Sequence, residues 1–576
     1  MALRCASGSG AAAGPAWGAL EPALAGAIER EAAARGGLSA DLPGQVYERA
    51  RASDRAERRA AAVYYTPPHL VDFTVEHALA PLLRRRAPDR LLDLRVVDPA
   101  CGGGAFLLAA LRRLEQAAPP RARGPRRRLA ILRRCLLGID LDPQAAAVSR
   151  LALSIAVPEA TAEDLQRAVR VADALDPASA PAGEFHAVVT NPPWGGKRYR
   201  LDPEDRRRLR ALYASARGAI DPFALFVERA HALLAPGGRW GMVLPEVILL
   251  KNHEALRRLI LRGSALEWIA EAGRAFSGVN MDAVVMVGRR VRRPPGAGHQ
   301  VAIARDVPEG WRARPPAVRR QRQAVFARLP GARFNLHLGE GDLALFDRLS
   351  ALPRLGDRFE VHEGVHSGNA RARLFLPARP PGRADGELAR LVVGRGEIAR
   401  YRLRWAGAWL DLSPGALDRS AGHYANLGRP EWHRREKVVV RRTGDHLVAA
   451  HDPDGLYVSN NLFVVLPRDP RAAGELPALV ALLNSALLTW CFRAQVPRVG
   501  RLFAELKIQH LSALPLPPPE AFTPGAAAAL ARLARRRARC EPGDPAAARL
   551  EAAIDEAVAS LYRLTGDERR LIALDR

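Results

Sequence analysis

Apolar residues in this chain gather in short runs separated by stretches that repeat at helical spacing. Residues 91–98, 136–140, 169–172, 187–190 and 239–244 are strand-like runs that end in Asp, Asn or turn residues. Between them, residues 105–116, 143–156 and 222–234 place apolar side chains three and four apart, as a helix packed on a sheet requires. An earlier helix opens at Pro67-Pro68 and continues through Leu70, Phe73, Val75, His77 and Leu79, with Thr66 placed to cap it. Strands alternating with helices at this spacing predict an α/β fold with a Rossmann-like, doubly wound and mainly parallel sheet. In such sheets the reacting groups lie beyond the carboxyl ends of the strands.

The same patterning divides the chain. Residues 1–60 read as a helical N-terminal segment and 61–292 as the sheet-bearing catalytic domain. Residues 293–344 turn to Arg, Pro and Gly and read as a linker. Residues 345–520 have shorter segments with scattered Trp and Arg, as in a second, mixed α/β domain, and 521–576 return to helical spacing. A length of 576 residues requires several cores, and 48% hydrophobic residues can supply them.

Charge adds a partner. The formal net charge is +26, the electrostatic footprint of a polyanion binder. Lys occurs only at 197, 251, 437 and 507, so the excess is almost entirely Arg. Cys5, Cys101, Cys135, Cys491 and Cys540 are scattered without C-x-x-C pairs or His clusters at ligand spacing, which speaks against structural zinc and a disulfide framework. No metal is expected. Gly14-Pro15, Glu21-Pro22 and Glu29 interrupt any signal-type core and no run is long enough to span a membrane, so a bacterial cytoplasm fits.

Two motifs carry chemistry. The first strand ends in Asp98-Pro99-Ala100-Cys101-Gly102-Gly103-Gly104, where glycines permit close backbone approach and the next helix offers free N–H groups. A dinucleotide fingerprint would need glycine at position 107, which is Leu107. Asp140, ending the second strand, stands where a carboxylate can accept ribose hydroxyls. Asp173, ending the third, fits both an adenine partner and a plain loop carboxylate.

The fourth strand ends in Asn191-Pro192-Pro193-Trp194. The Asn191 side-chain oxygen and the Pro192 carbonyl can each accept one N–H of an exocyclic amine, turning its lone pair toward an electrophilic methyl. Pro193 stiffens the loop, and Trp194 offers a ring on which an extruded base can stack. Cytosine C5 chemistry needs a thiolate, commonly after proline, and no cysteine here follows one.

With these residues the chain resembles the N6-adenine-specific DNA methyltransferases of restriction-modification systems, in particular the TaqI-like group with a C-terminal target-recognition domain. The resemblance covers nearly everything after residue 45. It implies S-adenosyl-L-methionine as cofactor, held by Tyr65, Thr66, Pro67, Asp98, Ala100, Cys101, Gly102 and Gly104, with Asp140 at the ribose and Asp173 at the cofactor adenine. Gly103 replaces a more usual Ser, and Trp194 a more usual Tyr or Phe. Phe276, in the Glu271 to Val285 region, corresponds to an aromatic that packs on the flipped base, and reads equally as a core aromatic.

Further segments of the likeness are 364–369, 437–444, 457–461, 482–485 and 555–565, within or after the recognition domain. Base reading calls on Arg, Asn or Gln, and Arg371, Arg373, Arg441 and Arg442 are the DNA-binding candidates, equally readable as phosphate contacts or solvated charges. The resemblance implies double-stranded DNA and a separately encoded restriction endonuclease as partners. About sixty residues precede Tyr64, too few for a nuclease domain, and Glu505-Leu506-Lys507 has the E-x-K spacing without a suitable Pro-Asp partner. Rival readings are a methyltransferase of RNA or protein glutamine, and a non-catalytic DNA-binding subunit of a defence complex.

Overall fold

A computed structural model describes residues 17–53, 66–84, 86–180, 182–195, 201–217, 220–250, 253–273, 275, 282–336, 338–394, 396–495, 506–541 and 543–574. The chain divides into two compact units, Met1–Phe334 and Asn335–Arg576.

The first unit is built on a nine-stranded sheet in the order β3-β2-β1-β4-β5-β7-β6-β8-β9. Its strands are β1 (Val96–Asp98), β2 (Leu136–Asp140), β3 (Val169–Val171), β4 (Phe185–Thr190), β5 (Leu234–Pro245), β6 (Ser264–Gly273), β7 (Ala283–Arg290), β8 (Gln300–Ala304) and β9 (Val318–Arg322). β1 pairs in parallel with β2 on one side and β4 on the other, and β2–β3 and β4–β5 are parallel too. β7 runs antiparallel between β5 and β6. Strand order therefore reverses between β1 and β4, the switch point outside which ligands of open α/β sheets bind.

Helices α1 (Pro22–Ala34), α2 (Leu42–Ser53), α3 (Pro68–Leu83), α4 (Ala105–Ala117), α5 (Pro125–Cys135) and α6 (Pro143–Ala156) belong to this unit, as do α7 (Ala162–Ala168), α8 (Pro203–Leu212), α9 (Pro222–Leu233) and α10 (Glu254–Gly263). Val96, Val97, Ile139, Val188 and Val189 are fully buried, as expected of parallel strands covered on both faces. The proline- and arginine-rich stretch before β2 is part helix, since Pro125 opens α5 at its first position.

Three expectations change. Thr66 does not cap α3: the N-cap is Pro67, with no side-chain cap bond. The N-terminal helices pack against α6 instead of standing apart, with Ile28, Leu42, Val46 and Tyr47 in one cluster with Val148 and Leu151. Residues 293–334 carry β8 and β9, which extend the sheet; β9 is an exposed edge, so its Arg-rich side chains face solvent and hide the strand in the sequence.

The second unit contains two four-stranded sheets. One joins β10 (Phe359–Glu363) to the later strands Lys437–Arg441, Ala449–Asp452 and Leu462–Pro467, and the other joins Phe375–Leu376, Leu388–Val392, Trp409–Asp411 and Tyr457–Val458. Helices α11 (Glu340–Ser350), α12 (Leu476–Asn484), α13 (Ala486–Gln495), α14 (Pro524–Ala538), α15 (Pro545–Leu561) and α16 (Gly566–Leu574) complete it. Asn484 bonds both the N–H and the C=O of Ala449 through its carboxamide, tying α12 to a sheet strand. Among the described residues no single helix is long and apolar enough to cross a membrane.

Candidate active site

The turn after β1 is held by hydrogen bonds from its neighbours. Gly102 and Gly104 have φ of 50° and 86°, and a Cβ on Gly104 would stand 3.0 Å from Ser149 Oγ. Both conformations favour glycine. Ser149 donates to the Gly102 carbonyl at 2.7 Å, and Gly104 is the N-cap of α4. The first N–H groups of that helix have no intrahelical acceptor, which suits them to an anionic group.

Carboxyl groups ring the turn. Asp140 accepts the backbone N–H of Gly102 at 2.9 Å and that of Asp142 at 2.9 Å, joining the end of β2 to the turn. Tyr47, from α2, donates to Asp142 at 2.7 Å. Asp98 is fully buried, accepts the Ala100 N–H at 3.1 Å and lies against the Thr190 hydroxyl. Burial pushes its carboxyl up to about 7, and the neighbouring Asp140 charge adds to the rise. Glu48 of α2 is buried as well and is pushed up to about 8 by burial, a rise that the backbone N–H groups of Thr66 and Gly103 partly oppose.

Cys101 is buried, and burial together with Asp140 and Asp98 drives its thiol well above the usual range. Burial also raises Cys135, to about 12, and Cys491. Thiols so far from ionising are poor nucleophiles at neutral pH.

Beside this turn, β4 delivers Asn191. Its Nδ2 donates to Thr66 Oγ1 at 2.9 Å, so the carboxamide is anchored on the segment entering α3. Its Oδ1 is buried with no hydrogen-bond partner among the described residues. A buried carbonyl oxygen left without a donor is costly, and such exceptions concentrate where a ligand supplies the missing bond. Trp194 is only 2% exposed, so a stacking partner reaches its ring only after the covering groups move.

The structure thus gathers Thr66, Pro67, Asp98, Ala100, Cys101, Gly102, Gly104, Asp140 and the Asn191–Trp194 loop around the carboxyl ends of β1, β2 and β4. Asp173 lies beyond β3; its carboxylate accepts the Leu175 N–H at 2.9 Å and pairs with Arg208 of α8 at 3.0 Å. Tyr65 and Phe276 fall outside the described residues. Sequence reasoning passed over Glu48 and Gly44, which touch the turn from α2, and Leu141, which follows Asp140 and is 71% exposed. The one signal in the sequence for the last was its place next to Asp140.

The arginine candidates separate. Arg371 and Arg373 are exposed on one short helical turn, where Arg371 covers the Phe375 ring and Arg373 bonds the Gly415 carbonyl at 3.2 Å. Arg442 is engaged inside its own unit, with the Asn460 carbonyl at 3.1 Å and Glu363 at 3.4 Å. Arg441 ends the strand Lys437–Arg441, half-buried. Among the described residues no group of His, Cys, Asp and Glu could hold a metal ion.

Comparison with known proteins agrees with this geometry. Residues 38–297 match the family of N-6 DNA methylases, and residues 390–516 match the TaqI-like C-terminal specificity domain. The chain is 23% identical to the adenine-specific methyltransferase PglX of Streptomyces coelicolor over 85% of its length, and it spans about half of that relative, 51%. It is 22% identical to the type II methyltransferase M.VspI of a Vibrio species over 55% of this chain and 67% of that one. The fold is that of the type IIL restriction-modification enzyme MmeI, solved in complex with DNA, with a TM-score of 0.64 at 15% identity over 93% of this chain and 81% of that one.

Proposed function

We propose, from the premise that residues 38–297 belong to the N-6 DNA methylase family and residues 390–516 to the TaqI-like specificity domains, that this chain methylates adenine N6 at specific sites in duplex DNA. It serves as the modification part of a restriction-modification or related defence system in the cytoplasm, with a separately encoded endonuclease as a partner. One observation carries the reading: Asn191 is anchored through Nδ2 on Thr66, leaving Oδ1 a buried acceptor beside the glycine turn.

The residues around the turn fit S-adenosylmethionine. Its sulfonium, when bound, supplies an electrophilic methyl group. Gly102 and Gly104 let the backbone approach closely, Asp140 presents a carboxylate to ribose hydroxyls, and Leu141 offers an exposed apolar face beside it. Asp173 serves the cofactor adenine while sharing its charge with Arg208. Thr66, Pro67, Asp98, Ala100 and Cys101 complete the lining, and the family likeness adds Tyr65 as a cofactor contact. The Asp140 carboxylate, held against the turn by the Gly102 N–H, favours a cationic ligand.

Asn191 Oδ1 and the Pro192 carbonyl accept the two N–H bonds of the target amine. Holding both hydrogens draws the nitrogen toward tetrahedral geometry and aims its lone pair along the line of displacement, a positioning effect that needs no covalent intermediate. The base leaves the duplex to reach them, and stacking on Trp194 and Phe276 offsets the unstacking cost, about 1–3 kcal/mol per stacked ring. Arg371 and Arg373 contact DNA, whereas the bonds of Arg442 within its own unit make it a structural residue.

The test is incubation with labelled S-adenosylmethionine and duplex DNA, followed by hydrolysis to nucleosides. Label in N6-methyldeoxyadenosine supports the proposal. Label confined to RNA or protein, or no label with DNA binding intact, rejects it in favour of another methyl acceptor or a non-catalytic binding subunit.

A further inference from the structure

Helix α2 lies across the glycine turn with no room between the backbones. A Cβ built at Gly44 would stand 2.7 Å from the Gly103 carbonyl oxygen, and one built at Gly103 only 2.5 Å from Gly44 Cα. One helical turn further on, the buried Glu48 carboxyl faces a cavity that it lines together with Gly103 and Thr66. Its Oε1 lies 3.7 Å from where a Gly102 Cβ would be. Thr66 in turn receives the Asn191 carboxamide at 2.9 Å. One buried carboxyl from α2 therefore stands between the turn and the segment that anchors Asn191.

Packing alone does not account for this residue. The rest of the buried face of α2 is apolar, with Leu42, Val46 and Tyr47 in a hydrophobic cluster against α6. A carboxyl in that position bears a desolvation cost that an apolar side chain would avoid. What it gains is two acceptor oxygens for two backbone donors on separate stretches of chain, which no aliphatic side chain can offer. Those donors belong to the turn and to the anchoring segment, not to a distant part of the core.

We infer that Glu48 is a positioning residue for the methyl donor, a clamp from α2 that fixes the glycine turn and the Thr66 segment at their binding separation, with Gly44 as the contact point that lets the helix close. The inference rests on assigning the glycine turn to the cofactor. Removing the clamp leaves the sheet in place and loosens the cradle, so the loss falls first on cofactor affinity.

The test uses the full chain with Glu48→Ala, Glu48→Gln and Gly44→Ala. The first readout is amide hydrogen exchange without any ligand, in peptides covering residues 66–70 and 100–106. Loss of the buried acceptor is expected to speed exchange there about tenfold in Glu48→Ala and Gly44→Ala, and less in Glu48→Gln, whose amide oxygen still accepts. The second is calorimetric titration with S-adenosylmethionine, where Glu48→Ala is expected to weaken binding about tenfold and Glu48→Gln less than about threefold, with DNA affinity unchanged.

Exchange in both peptides equal to that of the unaltered protein in Glu48→Ala overturns the clamp, whatever the titration shows. Should Glu48→Ala fail to fold, Gly44→Ala decides by the same exchange readout. If the unaltered protein binds no S-adenosylmethionine while Glu48→Ala exchanges faster, the clamp stands and the cofactor assignment falls.

Discussion

The two loops that leave β1 and β4 sit side by side and are finished to different degrees. In the turn after β1 the backbone is tied to neighbouring elements, Asp140 bonding the Gly102 N–H and Ser149 the Gly102 carbonyl. In the loop after β4, Asn191 keeps a buried oxygen without a donor and Trp194 has its ring covered. Each loop keeps one buried side-chain oxygen without a partner among the described residues, Asp98 Oδ2 in the first and Asn191 Oδ1 in the second, but only the first is otherwise tied down on both sides. A small cofactor can enter a preformed cradle, whereas a base must first leave its duplex, so the base-holding groups have reason to close only when it arrives.

Replacing Asn191 breaks the contrast most sharply. Asn191→Ala removes the carboxamide acceptor and is expected to lower single-turnover methyl transfer by about a thousandfold, in the range of a lost oxyanion-type partner. Cofactor affinity by calorimetry should stay within about threefold, because a lost interaction made only in the transition state spares ground-state binding.

On the cofactor side the expected signature is in pH. Asp98 keeps its proton up to about 7 in the folded chain, against an ordinary value of 3.8. The folded state binds that proton more tightly, so this carboxyl's contribution to stability is full in acid, is lost as pH rises from about 4 to about 7, and is constant above. Thermal unfolding of Asp98→Asn should lose that part of the slope, and the stability difference from the unaltered protein should change by on the order of a few kcal/mol across the window. A difference independent of pH would mean Asp98 is ionised in the folded chain.

Gly104→Ala forces a left-handed φ on a residue whose Cβ meets Ser149. It should cost about 1–3 kcal/mol in unfolding free energy, with weaker cofactor binding. Cys101→Ala should show the smallest effect on transfer, less than about threefold, since a buried thiol held far above neutrality supplies no nucleophile. A large loss there would point to covalent chemistry.

Much of the glycine turn was legible in the sequence because it depends on local rules: glycines at a strand end, carboxylates ending successive strands, a helix start that follows. Asn191 was legible for the same reason. Glu48 and Gly44 were not, since their meaning comes from α2 crossing a turn distant in sequence, and a buried glutamate among helical residues reads as a solvated face. Thr66 illustrates the same limit: its hydroxyl suits a helix cap, but Asn191 reaches it first. β9 escaped because an exposed edge strand keeps few apolar residues. In the second unit, Asn484 marks a family-like segment whose visible work is structural, bonding Ala449 from both sides.

The central claim is a cofactor cradle assembled in advance beside an Asn191 loop that DNA completes. Amide exchange of the unaltered protein, alone, with S-adenosylmethionine, and with cofactor plus duplex target, measures it directly. Residues 98–104 should be protected from the outset, and residues 190–195 should gain protection only when DNA is added. Equal protection of the two segments before DNA, or a 190–195 segment unmoved by it, would contradict the account.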